Sequence, residues 1–345
     1  MDAGNSPPRV TLRDISQKLG LSGGAVSRAL RNDPTISVVT RQRVQAMAAE
    51  MGYQPNPLGA LLANFKRNSK TVPVKACLAW FNCWPDPKKM RSFAEFDRYW
   101  TGAYSSAEHH GYRLEEFVCN ESMQPSRVEK ILLARGINGI LLPPLGRLSF
   151  DWGNFNWPSF STVMLSKIES PPCHLVSPDQ MWNTMLAYDK IREKGYKRVG
   201  FVGAPWRPMS FAPGFLWAQQ LDVPEATRIP PLFLPTEEPR SHQKLFADWM
   251  KKHKPDAILT ERSHLPEILT KAGYRVPDDV GLATLTVLDC PIDAGIYQNP
   301  EEVGRVAVLV LISLISDHDL GIPRIPRQIL VKGKWVDGAS LPPKN

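Results

Sequence analysis

In TLRDISQKLGLSGGAVSRAL, residues 11–30, one glycine separates two stretches whose apolar residues recur at helical spacing. Leu12, Ile15 and Leu19 share one face of the first stretch, and Arg13, Gln17 and Lys18 share the other, which describes an amphipathic helix. Thr11 with Asp14 three residues on fits a capping box, in which hydroxyl and carboxylate satisfy free amides of the first turn. Gly20 ends this helix, and Ser22 is placed to cap a second one with Ala25, Val26, Ala29 and Leu30 as its apolar stripe. Asn32, Asp33 and Pro34 then break that helix. The same letters hold Gly20, Ser22 and Gly24 as G-x-S-x-G, the spacing of the nucleophile elbow in serine hydrolases. An elbow needs a buried strand running into a strained turn, and a charged amphipathic helix stands there instead. A hydrolase is therefore not expected, and no catalytic residue is assigned.

A third helix is predicted over Val38–Met51, with Val44, Met47, Ala48 and Met51 on one face, Arg41, Arg43 and Gln45 on the other, and Gly52 to end it. Charge adds to this pattern. Residues 1–70 hold ten lysines and arginines against four acidic residues, so they carry most of the net charge of +8 on the 345-residue chain. A basic head on a near-neutral body is the electrostatic footprint of a polyanion binder. Three short helices with a glycine turn between the first two form a helix-turn-helix head, whose second helix enters the DNA major groove. After Pro55 and Pro57, Asn56 can cap a further helix carrying Leu58, Leu61, Leu62 and Phe65, too short to be stable alone in water.

The stretch from Val10 to Ala63, with its VSRAL, its TRQRV and the GY.PN that follows, resembles the lactose-repressor (LacI/GalR) family of bacterial transcription regulators. The resemblance implies homodimers on pseudo-palindromic operators in double-stranded DNA, recognition helices in the major groove, and paired hinge helices that wedge a leucine into the minor groove. Leu62 matches that leucine, with Gly59 in the same hinge. Thr11, Ser22, Ser27, Thr40, Tyr53 and Asn56 match positions that touch the sugar-phosphate backbone, and Arg28 matches a base-reading position, with Arg31 beyond it. Gly23 and Gly24 stand where side chains choose among operators, and a hydrogen atom reads nothing. The head is assigned to residues 9–55, the hinge helix to 56–66 and the effector and dimerisation domain to 67–345.

From Val74 strand-like and helical stretches alternate: VKACLAWF before YWTGAYSSAEHHG, then RLEEFVC, PSRVEKILLARG, NGILLPP and STVML. After HLVSPD the pattern restarts through MWNTMLAYDKIREKG, RVGFVGAP, HQKLFADWMKKH, DAILT and VGLATLTV. Such alternation predicts doubly wound α/β lobes with parallel sheets. The body resembles the two-lobed, periplasmic-binding-protein-like domain of the same family, which implies three crossings between lobes and a small effector, a sugar or sugar derivative, in the cleft. The N-lobe is expected over about 74–176 plus 299–328, and the C-lobe over about 177–298 plus 329–345.

Ligands of open parallel sheets bind beyond the carboxyl ends of the strands. That rule selects Asn82 and Trp84, Pro143 and Pro144, Trp206 and Arg207, and Glu261 and Arg262. Phe211 stands where the family commonly has a sugar-binding arginine, and Glu261 and Arg262 replace its Asn-Asp pair, so the usual polar grip on a sugar is altered.

The five cysteines are odd in number and lack C-x-x-C spacing, which suits free thiols in a reducing compartment. Histidines show no metal spacing, and no metal or cofactor is expected. With no signal-peptide pattern, and Val306–Ile315 too short to span a bilayer, a cytoplasmic, nucleoid-associated protein without membrane contact is expected. The competing readings are an architectural DNA binder without an effector and a small-molecule receptor with a basic head. The C-terminal VDGASLPPKN has no heptads, so a dimer is expected rather than a tetramer.

Overall fold

A computed structural model describes residues 12–30, 33–51, 53, 76–120, 123–145, 151–166, 172–205, 210–234 and 243–344. The head has three helices, α1 (Leu12–Leu19), α2 (Gly23–Leu30) and α3 (Val38–Glu50). Gly20 turns the chain between α1 and α2 at φ +65, a left-handed conformation that costs glycine little. Their apolar faces meet in a small core of Ile15, Leu19, Val26, Ala29, Val44 and Ala48, with Met47, Met51 and Tyr53 packed against it. Ser22 and Ser37 cap α2 and α3, their hydroxyl oxygens accepting the Ala25 and Thr40 amides at 3.2 and 3.3 Å. Thr11, Asn32 and Gly52, expected as cap and breakers, lie outside the described residues.

The body is built on two six-stranded sheets. The first contains β1 (Ala76–Asn82), β2 (Tyr112–Val118), β3 (Gly139–Leu142), β4 (Ser161–Met164), β5 (His174–Pro178) and β11 (Gln328–Val331). Its order is β2-β1-β3-β4-β5-β11, with every neighbour parallel. The second contains β6 (Val199–Gly203), β7 (Leu232–Phe233), β8 (Ala257–Thr260), β9 (Gly281–Thr284), β10 (Gly295–Tyr297) and β12 (Lys334–Val336). It repeats the order as β7-β6-β8-β9-β10-β12, and β12 runs antiparallel to β10. Strands such as Ala257–Thr260 are buried along their length, as expected where helices cover both faces.

Helices α4 (Pro87–Met90), α5 (Ala94–His109), α6 (Pro125–Ala134) and α11 (Pro300–Asp317) belong to the first lobe. The second has α7 (Gln180–Glu193), α8 (Ala212–Asp222), α9 (Gln243–His253) and α10 (Leu265–Lys271). The apolar run at 306–315 lies in α11, which packs on α5 and on the first sheet. A Cβ at Gly102 of α5 would overlap the Glu301 carbonyl, and one at Gly304 of α11 would overlap that of Tyr99. The two helices therefore touch backbone to backbone. No helix among the described residues is long and apolar enough to cross a membrane.

Three crossovers join the lobes: after β5, between β10 and α11, and between β11 and β12. They are stitched to one another. The Asp179 amide donates to the Val331 carbonyl at 2.9 Å, the Gly333 amide to Asn183 Oδ1 at 2.7 Å, and Asn299 Nδ2 to the Lys332 carbonyl at 2.8 Å. Strands β5 and β11 continue to Pro178 and Val331, just past the expected lobe boundaries at 176 and 328.

Candidate nucleic-acid interface and ligand cleft

Ser22, just before α2, and Gly23, Gly24 and Arg28 on it are all exposed, while Val26 and Ala29 are buried. Gly24 and Arg28 are four residues apart and share a face. Added side-chain atoms would meet open space here: a Cβ at Gly23 would find only Ser16 Oγ, at 3.8 Å, and one at Gly24 nothing within 4 Å. The helix therefore presents bare backbone in its first turn and a guanidinium in its last. Ser22 spends its oxygen on the cap, while its hydroxyl proton remains available to an acceptor. Thr40 is half-buried at the start of α3 with its hydroxyl 2.8 Å from that of Ser37. Tyr53 is half-buried against the head core. Arg43 is exposed on α3. Nothing is described of the Ser27 side chain, and Thr11, Arg31, Asn56, Gly59 and Leu62 lie outside the described residues.

In the body, each lobe has its first, third and second strands adjacent, which is the topology that leaves a crevice beyond the first and third strands. Both crevices are bridged by the chain's own groups. In the first lobe Trp84 Nε1 donates to the Pro144 carbonyl at 3.0 Å, and Trp84 packs against Phe93 and Phe96. In the second, the Ala204 amide donates to Glu261 Oε1 at 2.8 Å.

Asn82 is fully buried, and its amide group donates to the Pro87 carbonyl and to Glu116 Oε1, both at 2.8 Å, while its oxygen accepts the Trp84 amide at 3.1 Å. Both amide protons are used, and Asn82 braces the strand end through them. Arg262 is also buried, donating to the Leu234 carbonyl at 2.9 Å and lying 3.0 Å from His264 Nε2. It shapes the floor of the second lobe's crevice from within. Phe211 is buried in the cluster containing Tyr188, Phe201 and Phe215, so an aromatic core contact occupies the place where an arginine was the family expectation. Trp206 and Arg207 lie outside the described residues.

Sequence reasoning missed the groups that face across the cleft. Asp289 Oδ1 and Oδ2 accept the Ala94 and Glu95 amides at 2.7 and 3.0 Å, and the Thr286 hydroxyl donates to Glu95 Oε2 at 3.1 Å. Near the crossovers Arg98 donates to the Tyr297 hydroxyl at 2.8 Å and to Glu301 at 2.9 Å. These pairs are nearly 200 residues apart in sequence, and no periodicity marks them.

The family model of bacterial regulatory proteins, lacI family, matches residues 11–56, and that of the periplasmic binding protein-like domain matches residues 188–341. The transcriptional repressor CytR of Escherichia coli K12 is 30% identical over 213 residues, 59% of this chain; the chain spans 57% of that relative's length. The repressor MelR of Bacillus subtilis 168 is 23% identical over 341 residues, covering 90% of this chain and 93% of MelR. Among solved structures, a transcriptional regulator CelR–cellobiose complex has a TM-score of 0.56 at 16% identity, covering 96% of this chain and all of that one. A lac repressor dimer bound to operator and the anti-inducer ONPF has a TM-score of 0.52 at 16% identity, covering 97% of this chain and all of that one. In one chain with two doubly wound lobes and three crossovers, the head thus carries the DNA-binding domain of the lacI family of bacterial regulatory proteins and the body a periplasmic binding protein-like domain.

Proposed function

We propose that the chain is a sequence-specific DNA-binding transcriptional repressor, cytoplasmic and homodimeric, whose grip on a pseudo-palindromic operator is controlled by a small effector between the lobes. The observation that carries the DNA reading is the exposed face of α2, with a capped glycine start and Arg28 free of the core. A guanidinium there can pair bidentately with guanine N7 and O6, while the bare first turn lets backbone amides approach phosphate. The hinge at 56–66, with Leu62 as a minor-groove wedge, would tie the head to lobe closure. The effector reading draws on the crevice in each lobe and on relatives named for repression, together with a neighbour solved with cellobiose.

One observation favours a second reading. Asn82, Trp84, Glu261 and Arg262 all have partners inside the protein, as expected of a body that supports DNA binding without an effector. Thermal unfolding of the full chain against a panel of mono- and disaccharides and sugar acids separates the two. An effector at about 100-fold its Kd adds about 2.7 kcal/mol to the native state, a shift of several degrees. The effector reading expects such a shift from at least one sugar, and the same sugar then changes operator affinity. A flat response across the panel would favour the architectural reading.

A further inference from the structure

We infer that the two lobes carry a built-in clasp at the mouth of the cleft, with Asp289 as its releasable element, so that closure has a contribution from the protein's own groups. Helix α5 is 16 residues long, and Phe93 at its start has no side chain able to cap it. The first two amides of the helix are instead capped from the other lobe, by the two carboxylate oxygens of Asp289. A carboxylate at a helix start both accepts orphan amides and answers the positive end of the helix dipole. Asp289 itself sits at φ +58, a backbone conformation maintained only where the surroundings favour it.

The next residue extends the contact in the opposite direction. Glu95 accepts the Tyr99 hydroxyl at 3.0 Å on one oxygen and the Thr286 hydroxyl of the other lobe on the second. Each lobe thus supplies both a carboxylate and a donor to the other. Asp289 is exposed, so water can replace the α5 amides when the clasp opens, which keeps the contact reversible. The backbone contact of α5 with α11 then links the clasp to the crossovers, because α11 begins beside Asn299. Opening at the mouth and bending at the crossovers are in this way motions of one helix pair.

Hydrogen exchange of the full chain, read by mass spectrometry alongside small-angle scattering, tests the clasp. Asp289→Ala is expected to speed exchange at the Ala94 and Glu95 amides by roughly five- to tenfold, the loss of one cap. It should also raise the radius of gyration. Thr286→Val touches neither amide, yet is expected to speed their exchange and to enlarge the molecule in the same sense. Asp86→Ala, which removes the cap on Lys88 within one lobe, serves as the control and should act only on α4. Unchanged exchange at Ala94 and Glu95 in Asp289→Ala would overturn the inference. So would faster exchange there with Thr286→Val silent and the radius of gyration constant, because that describes a local cap and no clasp.

Discussion

Gly24 and Arg28 share one exposed face of α2, and the contrast between them sets the expected recognition. Arg28→Ala should flatten discrimination at one base pair in each half-site, a loss of about 1–3 kcal/mol there. Gly24→Ala should leave base preference unchanged and raise thermal stability by up to about 1 kcal/mol, because the added methyl meets open space. Binding selections on randomised half-sites, with unfolding curves of each variant, check both; full base preference retained by Arg28→Ala would move that residue to the phosphate contacts. A second residue-scale expectation concerns His174, buried at the start of β5. Its Nδ1 accepts the Arg327 amide at 3.0 Å, Nε2 lies 3.1 Å from the Arg327 guanidinium, and Asp319 is 3.9 Å away. Burial first, and the Arg327 charge second, lower its pKa below the usual 6.5, against the opposing pull of Asp319. As pH falls below about 6.5 the unfolded chain takes up this proton before the native state does, so stability declines from there towards the lowered native value. His174→Asn keeps an acceptor for the Arg327 amide without titrating. The stability advantage of the wild type over this variant should therefore shrink between pH 7.5 and pH 5.5 in urea titrations, and a constant difference would contradict the assignment.

Among the elements, α5 and α11 are the pair on which the first lobe depends. Gly304→Ala forces the helices apart at the Tyr99 carbonyl and should cost about 1–3 kcal/mol, read as a lower urea midpoint. An unchanged midpoint would mean that the helices yield without loss. Most elements were legible in the sequence, because strands covered on both faces read as apolar runs and the helices between them keep their periodicity. ACLAWFN and AILT are examples. Strand β7, two residues long, and β10 and β12, three each, fall below the length at which a period can be read. The cleft was legible only as positions. Strand ends indicate where ligands bind, but not that Asn82 has spent both amide protons or that Arg262 is enclosed, because those facts depend on partners far along the chain. Asp289 lies 195 residues from Ala94, in a loop without pattern, and only the folded arrangement brings them together.

At the scale of the whole molecule, a basic head precedes a body of two lobes sewn together by three crossovers, with further contacts at the cleft mouth. On the proposed reading as a repressor, a change in lobe angle would reach DNA through the hinge proposed at residues 56–66. On the same proposal, sparse direct readout from α2 would shift discrimination towards Arg28, the proposed wedge and the deformability of the central step. The most direct test is selection of binding sites by the full-length protein from a pool of randomised duplexes. The account predicts recovery of inverted repeats with one strongly preferred guanine–cytosine pair in each half-site and a deformable centre. Recovery of sequences with neither inverted symmetry nor base preference, bound as tightly as the starting pool, would contradict it.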